Sequence, residues 1–293
     1  MGVFIPCLSD ELNVKGDVLK IKFLGTAASE GVPSMFCRCR VCENARRVKG
    51  KEIKTRAGFL VNRDLMIDFS ADTNCNAIKY GVDLSAVKYL LITHTHEDHF
   101  YYGDLFQRNR YNSANRTEDV LNLYGNAEVI RIYDEFATDE DVIKNLKAHL
   151  VKAGERYELG EYEVFPIDSV HMTTEESLVY AIKGGGKTYF HCMDTGGLTD
   201  AAYELIRERE LAFDAVTFDF TFGTLKENYY GHNNLSGVLN SVESLKKAGA
   251  ITDKTKIYAC HVTHFCGNTH AELEEALKRY GIVLAYDGME IEI

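Results

Sequence analysis

The chain has 293 residues, 45% of them apolar, enough for a sizeable core and too many for wholesale disorder. A formal net charge of −11 at pH 7 argues against an extended nucleic-acid surface, while a small anion could still bind at metal ions. No stretch approaches a membrane span, Met1–Glu11 has neither a basic start nor an apolar signal core, and eight cysteines without such a signal point to a reducing compartment, so a cytoplasmic protein is expected.

The run Val18–Leu24 alternates and reads as an opening strand. It ends in a loop of small residues, Gly25–Pro33, for which a plain turn and a close backbone approach are both adequate explanations. Cys37, Cys39 and Cys42 then follow at C-x-C-x-x-C spacing. Three thiolates can reach one tetrahedral Zn, and a closed thiolate site of this kind is structural because no position remains for water. A fourth ligand must come from elsewhere. Ala57–Asn62 and Asp64–Phe69 read as a hairpin, with Asp68 near the end of its second strand. Asp68 is either a core carboxylate or an acceptor that fixes a metal-bound histidine. A short helix is expected over Asn74–Tyr80.

The apolar run Val87–Ile92 leads into Thr93–His99, where His94, His96, Asp98 and His99 arrive within six residues at a strand end. Imidazole nitrogen and carboxylate oxygen suit Zn, Mn or Fe, and this is too many ligands for one ion that keeps an open position. Phe100–Asn112 reads as a helix or lid, whose Arg108 and Arg110 are expected to be solvated. Leu121–Gly125 is a strand, and Asn126–Leu150 reads as helical, with His149 an ordinary surface or packing residue.

A strand over Glu161–Ile167 is followed by His171, and strands over Ser177–Lys183 and Lys187–Cys192 are followed by Asp194. His191 lies inside its strand and reads as a packed core residue. A helix is expected over Asp200–Glu210, and a strand over Ala215–Thr221 carries Asp219 near its end. His232, just before a helix over Leu235–Ala248, either helps a cap or acts as a general acid. The strand Lys256–Cys260 runs into His261 and His264. A helix Thr269–Tyr280, with His270 as a first-turn surface residue, and a strand Ile282–Tyr286 close the chain. No internal repeat or Pro-rich linker interrupts it, so residues 1–293 are expected to form one domain.

The strand-end ligands are His94, His96, Asp98, His99, His171, Asp194 and His261. They suffice for two ions, with Asp194 able to bridge them, and two ions close together suit hydrolysis of phosphoesters, amides or thioesters. His264 can complete the site of Cys37, Cys39 and Cys42. The segment His94–His99 with His171, Asp194 and His261 resembles the metallo-β-lactamase superfamily. Gly25-Thr26, Gly31-Val32-Pro33, the cysteine cluster, Asp219, His232-Asn233, His261-x-x-His264 and Tyr286–Ile291 narrow the resemblance to the PhnP family of phosphodiesterases, which act on a cyclic ribosyl phosphate in the carbon–phosphorus lyase pathway.

That resemblance implies an α/β (α+β) fold, the αββα sandwich of two mixed sheets flanked by helices. It implies His94, His96 and His171 on one ion, Asp98, His99 and His261 on the other, and Asp194 between them. The active-site ions would be Mn or Zn, with a structural Zn on Cys37, Cys39, Cys42 and His264. His232 would be the general acid and Asp68 the carboxylate behind a metal-bound histidine. The expected activity is hydrolysis of a small or cyclic phosphodiester by a metal-bridging hydroxide. Two alternatives are an RNA-processing endonuclease of the tRNase Z type and a non-catalytic metal-binding protein. The expected partner is a small-molecule phosphodiester, without extended nucleic acid or membrane, and homodimerisation is left open.

Overall fold

The computed structural model describes residues 18–109, 112–113, 120–227 and 230–293. The Met1–Glu11 segment and Arg110 lie outside the described residues. In chain order the strands are β1 (Lys20–Gly25), β2 (Gly58–Val61), β3 (Leu65–Ile67), β4 (Tyr89–Leu91), β5 (Leu121–Gly125), β6 (Leu146–Leu150), β7 (Tyr157–Leu159), β8 (Tyr162–Ser169), β9 (Ser177–Gly184), β10 (Lys187–Cys192), β11 (Ala215–Asp219), β12 (Lys256–Cys260), β13 (Ile282–Leu284) and β14 (Glu290–Glu292). The helices are α1 (Arg40–Val48), α2 (Thr73–Tyr80), α3 (Ala127–Phe136), α4 (Glu140–Asn145), α5 (Asp200–Glu208), α6 (Leu235–Lys247) and α7 (His270–Lys278).

The strands make two seven-stranded sheets, ordered β14-β1-β2-β3-β4-β5-β6 and β13-β12-β11-β10-β9-β8-β7. Each is mixed. In the first, β14, β1, β2 and β3 pair antiparallel and β3 to β6 pair parallel. In the second, β7 to β10 pair antiparallel and β10 to β13 pair parallel.

Strand periodicity sorts side chains into layers, because successive residues point to opposite faces. Along β9, Leu178, Tyr180 and Ile182 face the first sheet, where Phe23, Phe59 and Leu91 meet them. Val179 and Ala181 point the other way, into a cluster with Ile206 of α5, Val238 and Leu245 of α6 and Leu273 and Leu277 of α7. The outer face of the first sheet packs Leu90 and Leu123 against Val129 of α3 and Val142 of α4. Helices therefore cover both outer faces, and the expected αββα sandwich is the observed fold.

Several expected elements differ. The strand before the histidine cluster is only Tyr89–Leu91, preceded by a 3-10 turn at Leu84–Ala86. Phe100–Asn112 holds a 3-10 helix, Tyr102–Arg108, rather than an α-helix. The helical reading of Asn126–Leu150 fails at its end, where Leu146–Leu150 pairs with β5 as a parallel strand. His149 therefore sits on a strand, half-buried, stacked on Tyr124 with Nε2 2.9 Å from Asn122 Oδ1. Packing supplied what local propensity did not. His270 is not a surface residue. It is 5% exposed, its backbone N–H donates to Glu52, and neither ring nitrogen has a hydrogen-bond partner among the described residues. His191 is buried as expected, its ring edge-on to Phe59.

One glycine is required by close approach. A Cβ on Gly25 would lie 1.8 Å from the carbonyl oxygen of Arg56, so only glycine lets β1 end against the segment leading into β2.

Candidate metal centre

The parallel halves of the two sheets end at a common edge, the usual place for a site in α/β structures. Asp68 follows β3, His94 to His99 follow β4, Asp194 follows β10, Asp219 ends β11 and His261 follows β12. Three of these residues leave their strands in the left-handed region, Asp68 at φ 59°, Asp194 at φ 47° and His261 at φ 61°. Such backbone costs a non-glycine residue about 1–3 kcal/mol. Here it turns carboxylates and an imidazole into the edge instead of onward along the strand.

Two donor groups that share no residue converge there, beside an overlapping set of Asp194, Asp219, His232 and His261. His94, His96, His171 and Asp194 form one, with His94 Nε2 2.9 Å and His171 Nε2 3.2 Å from His96 Nδ1. Asp98, His99 and His261 form the other, with His99 Nε2 3.2 Å from His261 Nε2 and 3.4 Å from Asp98 Oδ2. One oxygen, Asp194 Oδ2, faces both groups: it lies 3.2 Å from His94 Nε2, 3.2 Å from His171 Nε2 and 3.1 Å from His99 Nε2. All these side chains are buried except His96, which opens to solvent.

Partners on the far ring nitrogens fix which atom each histidine presents. His99 Nδ1 donates to Asp68 Oδ2 at 2.7 Å, and Asp68 Oδ1 in turn accepts from the Thr93 N–H at 2.9 Å. His171 Nδ1 donates to the Gly231 carbonyl at 2.9 Å. His261 Nδ1 lies 2.9 Å from Thr221 Oγ1, and His94 Nδ1 lies 3.0 Å from Thr93 Oγ1. The Nε2 lone pairs of His99 and His171 therefore point inward. Such nitrogens facing one another beside carboxylates make a poor hydrogen-bond network and a good set of cation donors. Asp194 Oδ1 supports the same conclusion: it is buried without an aligned donor among the described residues, although His232 Nδ1 lies 2.9 Å away. The donor set fits divalent ions such as Zn or Mn.

The electrostatics follow from this crowding. Burial pushes the His171 imidazole down to about 4, favouring the neutral form that ligates. Burial also opposes charge on His261, but Asp194 and Asp219 raise it to about 9. Asp98 and Asp194 are buried yet held below the ordinary carboxylate range, chiefly by His99 and His261 respectively.

His232 stands over this edge, with Nδ1 3.2 Å from Asp219 Oδ2. Burial lowers its pKa, but Asp194 and Asp219 outweigh that and raise it to about 10. Asp219 is itself held by the Asn233 N–H at 2.7 Å and the Thr221 hydroxyl at 2.8 Å. A cavity of about 460 Å³ opens here, and His96, Asp98, Asp194, His232 and His261 are among its walls. His232 reads from sequence as a cap or a general acid; Asn234 makes the α6 cap, and His232 lines the cavity. Sequence reasoning left Asp219 outside the site, although a carboxylate at the end of an apolar strand is the signal that selected Asp194.

The second expected cluster also comes together. Cys37, Cys39, Cys42 and His264 each offer one donor atom within 4.8 Å of the others, with His264 Nδ1 3.6 Å from Cys37 Sγ and 3.5 Å from Cys39 Sγ. A tetrahedron with Zn–S near 2.3 Å has edges of about 3.8 Å, so these separations fit one ion. His264 begins the turn that follows β12, three residues after His261, so the cluster brings the loop of Cys37–Cys42 next to the strand that supplies the other centre.

A sequence model of the β-lactamase superfamily domain matches residues 67–278. Among solved structures, a diphosphatase of the PhnP family is 23% identical, with a TM-score of 0.71 over 94% of this chain and 97% of that one. Zn-bound PqqB from Methylobacterium extorquens is 18% identical, with a TM-score of 0.71 over 94% of this chain and all of that one. The short form of human tRNase Z is 15% identical, with a TM-score of 0.62 over 93% and 98% of the two chains. A curated octanoyltransferase from Porphyromonas gingivalis is 40% identical over 81 residues, which are 26% of this chain and 15% of that protein's length. The chain belongs to the β-lactamase superfamily and has the metallo-β-lactamase fold.

Proposed function

We propose that the protein hydrolyses a small or cyclic phosphodiester at a centre holding two divalent ions, Mn or Zn, with a structural Zn on Cys37, Cys39, Cys42 and His264. The observation that carries this reading is Asp194 Oδ2, one buried carboxylate oxygen within 3.2 Å of nitrogens from both donor groups. His94, His96 and His171 would hold one ion, Asp98, His99 and His261 the other, and Asp194 both. When bound, such ions lower the pKa of water and offset charge on phosphoryl oxygens.

The chain's own residues do the rest. Asp68 keeps the His99 proton on Nδ1, so that Nε2 stays a donor to metal. His232, its Nδ1 engaged by Asp219, presents the other ring edge to the cavity, where it protonates the departing alkoxide. Hydrolysis forms a new phosphorus–oxygen bond from water and breaks the one to the alcohol. The proton the alcohol carries away comes from His232, and the water's proton restores it. A cytoplasmic setting is part of this reading; among the described residues no helix is long and apolar enough to cross a membrane.

The test is turnover of bis(p-nitrophenyl) phosphate and a ribose cyclic phosphate before chelation, after chelation and after return of Mn or Zn. Activity lost and then restored supports the reading. Full metal loading without turnover of either ester refutes it. A polyanionic RNA substrate would instead show itself by a steep fall of activity with salt.

A further inference from the structure

The three histidines of one proposed ion come from two separate stretches of chain. His94 and His96 lie on the segment leaving β4, and His171 lies on the loop between β8 and β9. His96 is exposed, so packing alone does not hold it. A set of ligands has to be kept within about 0.5 Å of its working geometry, which requires that the two stretches be fixed to one another.

One carboxylate spans them. Glu175, on the loop that carries His171, accepts at Oε1 from the Thr95 N–H at 3.1 Å and from the Thr95 hydroxyl. Thr95 stands between His94 and His96, and its N–H belongs to the peptide that joins it to His94. Glu175 Oε2 accepts from Asn126 Nδ2 at 2.7 Å. Asn126 is buried and itself fixed, because its Oδ1 caps α3 by accepting from the N–H groups of Glu128 and Val129, both at 2.9 Å. The loop is closed at its neck, where the Met172 N–H donates to Ser177 Oγ at 3.1 Å and the Leu178 N–H to the Thr93 carbonyl at 2.9 Å. Both Glu175 oxygens are engaged by protein donors, so the side chain braces the ligands rather than joining them.

We infer that Glu175 is a positioning residue for the ion of His94, His96 and His171, and that it does not serve the ion of Asp98, His99 and His261. This rests on the two-ion part of the reading above.

The experiment is Zn titration of the chelated protein, resolving the two active-site affinities. Glu175→Ala should weaken one of them by about 10–100-fold, the scale for a residue that orients a metal-bound histidine, and leave the other and the Zn count at the cysteine cluster unchanged. Glu175→Gln keeps an acceptor for Thr95 but cannot accept on both sides, so its loss should be smaller. Thr95→Val should weaken the same ion, and adding it to Glu175→Ala should cost little more, since the two groups act as a pair. Asp68→Asn marks the other ion, so the double variant with Glu175→Ala should lose affinity at both. Turnover by Glu175→Ala should fall at limiting metal and recover in excess. Unchanged Zn affinity, equal losses at both ions in Glu175→Ala, or losses confined to one ion in the double variant overturn the inference. A selective loss in a protein that turns over neither ester supports it and refutes the phosphodiester reading alone. A wild-type protein that binds a single active-site ion overturns both.

Discussion

Replacing Asp68 by Asn probes the account at its most buried support. The side chain is fully buried, and Oδ2 accepts from His99 Nδ1 at 2.7 Å while Oδ1 accepts from the Thr93 N–H at 2.9 Å and the Thr93 hydroxyl at 3.0 Å. Asparagine keeps the shape but removes the charge and turns one acceptor into a donor. It cannot accept at both oxygen positions, so either the Thr93 groups or His99 Nδ1 loses its partner. Losing a hydrogen bond to a charged group costs about 1.5–3 kcal/mol. Loss of the carboxylate behind a metal-bound histidine usually costs about 10–100-fold in metal affinity, or about 1.4–2.7 kcal/mol. Titration of the chelated variant with Zn, against wild type under the same buffer, should give weaker binding by that factor at one active-site ion. The His94, His96 and His171 group should be less affected, since His94 Nδ1 contacts the Thr93 hydroxyl rather than Asp68 itself. Zn binding by the variant equal to wild type at both ions would refute the positioning argument.

His232→Ala should lower kcat by about 10²–10⁴-fold on an ester with an alkyl alcohol, and by less on a p-nitrophenyl ester, whose phenolate leaves without a proton; the metal count of the same preparation should match wild type. Cys39→Ser should remove one ion per chain and lower the melting temperature, because the proposed structural Zn would crosslink residues 37–42 to residue 264. Losing a crosslink of that span costs about 2–5 kcal/mol, and calorimetry alongside metal analysis reads both effects. Glu272 offers a pH test remote from the active-site histidines: its carboxyl is pulled down to about 2 by Arg40 and the Thr269 N–H. A depressed carboxylate contributes stability that is present above its ordinary pKa of 4.5 and is lost as pH falls toward 2. The Glu272→Gln variant should therefore lose stability less steeply than wild type between those pH values, by a small amount because the pair is exposed.

The parts that sequence made legible share a physical cause. Long strands announce themselves, β8 by near-alternation and β9 by a continuous apolar run, and polar ligands at strand ends stand out because carboxylates and imidazoles are costly to bury alone. The cysteine cluster was legible from spacing. Edge elements were not: β6 and β14 are short, and each becomes a strand by pairing with β5 or β1 rather than by its own pattern. His270 looked like a first-turn surface residue because its first-turn position says nothing of the chain around Glu52 that buries it. Asp219 was visible as a strand-end carboxylate, but its contact with His232 runs between segments thirteen residues apart, and local pattern does not carry that distance.

The central claim, a two-ion centre that acts on phosphodiesters, is tested most directly by titrating metal back into chelated protein while following turnover of a ribose cyclic phosphate. The account predicts that activity is negligible with one active-site ion per chain and reaches its plateau at two, with a further, separately held ion at the cysteine cluster. A plateau at one active-site ion, or no turnover with two bound, would contradict it.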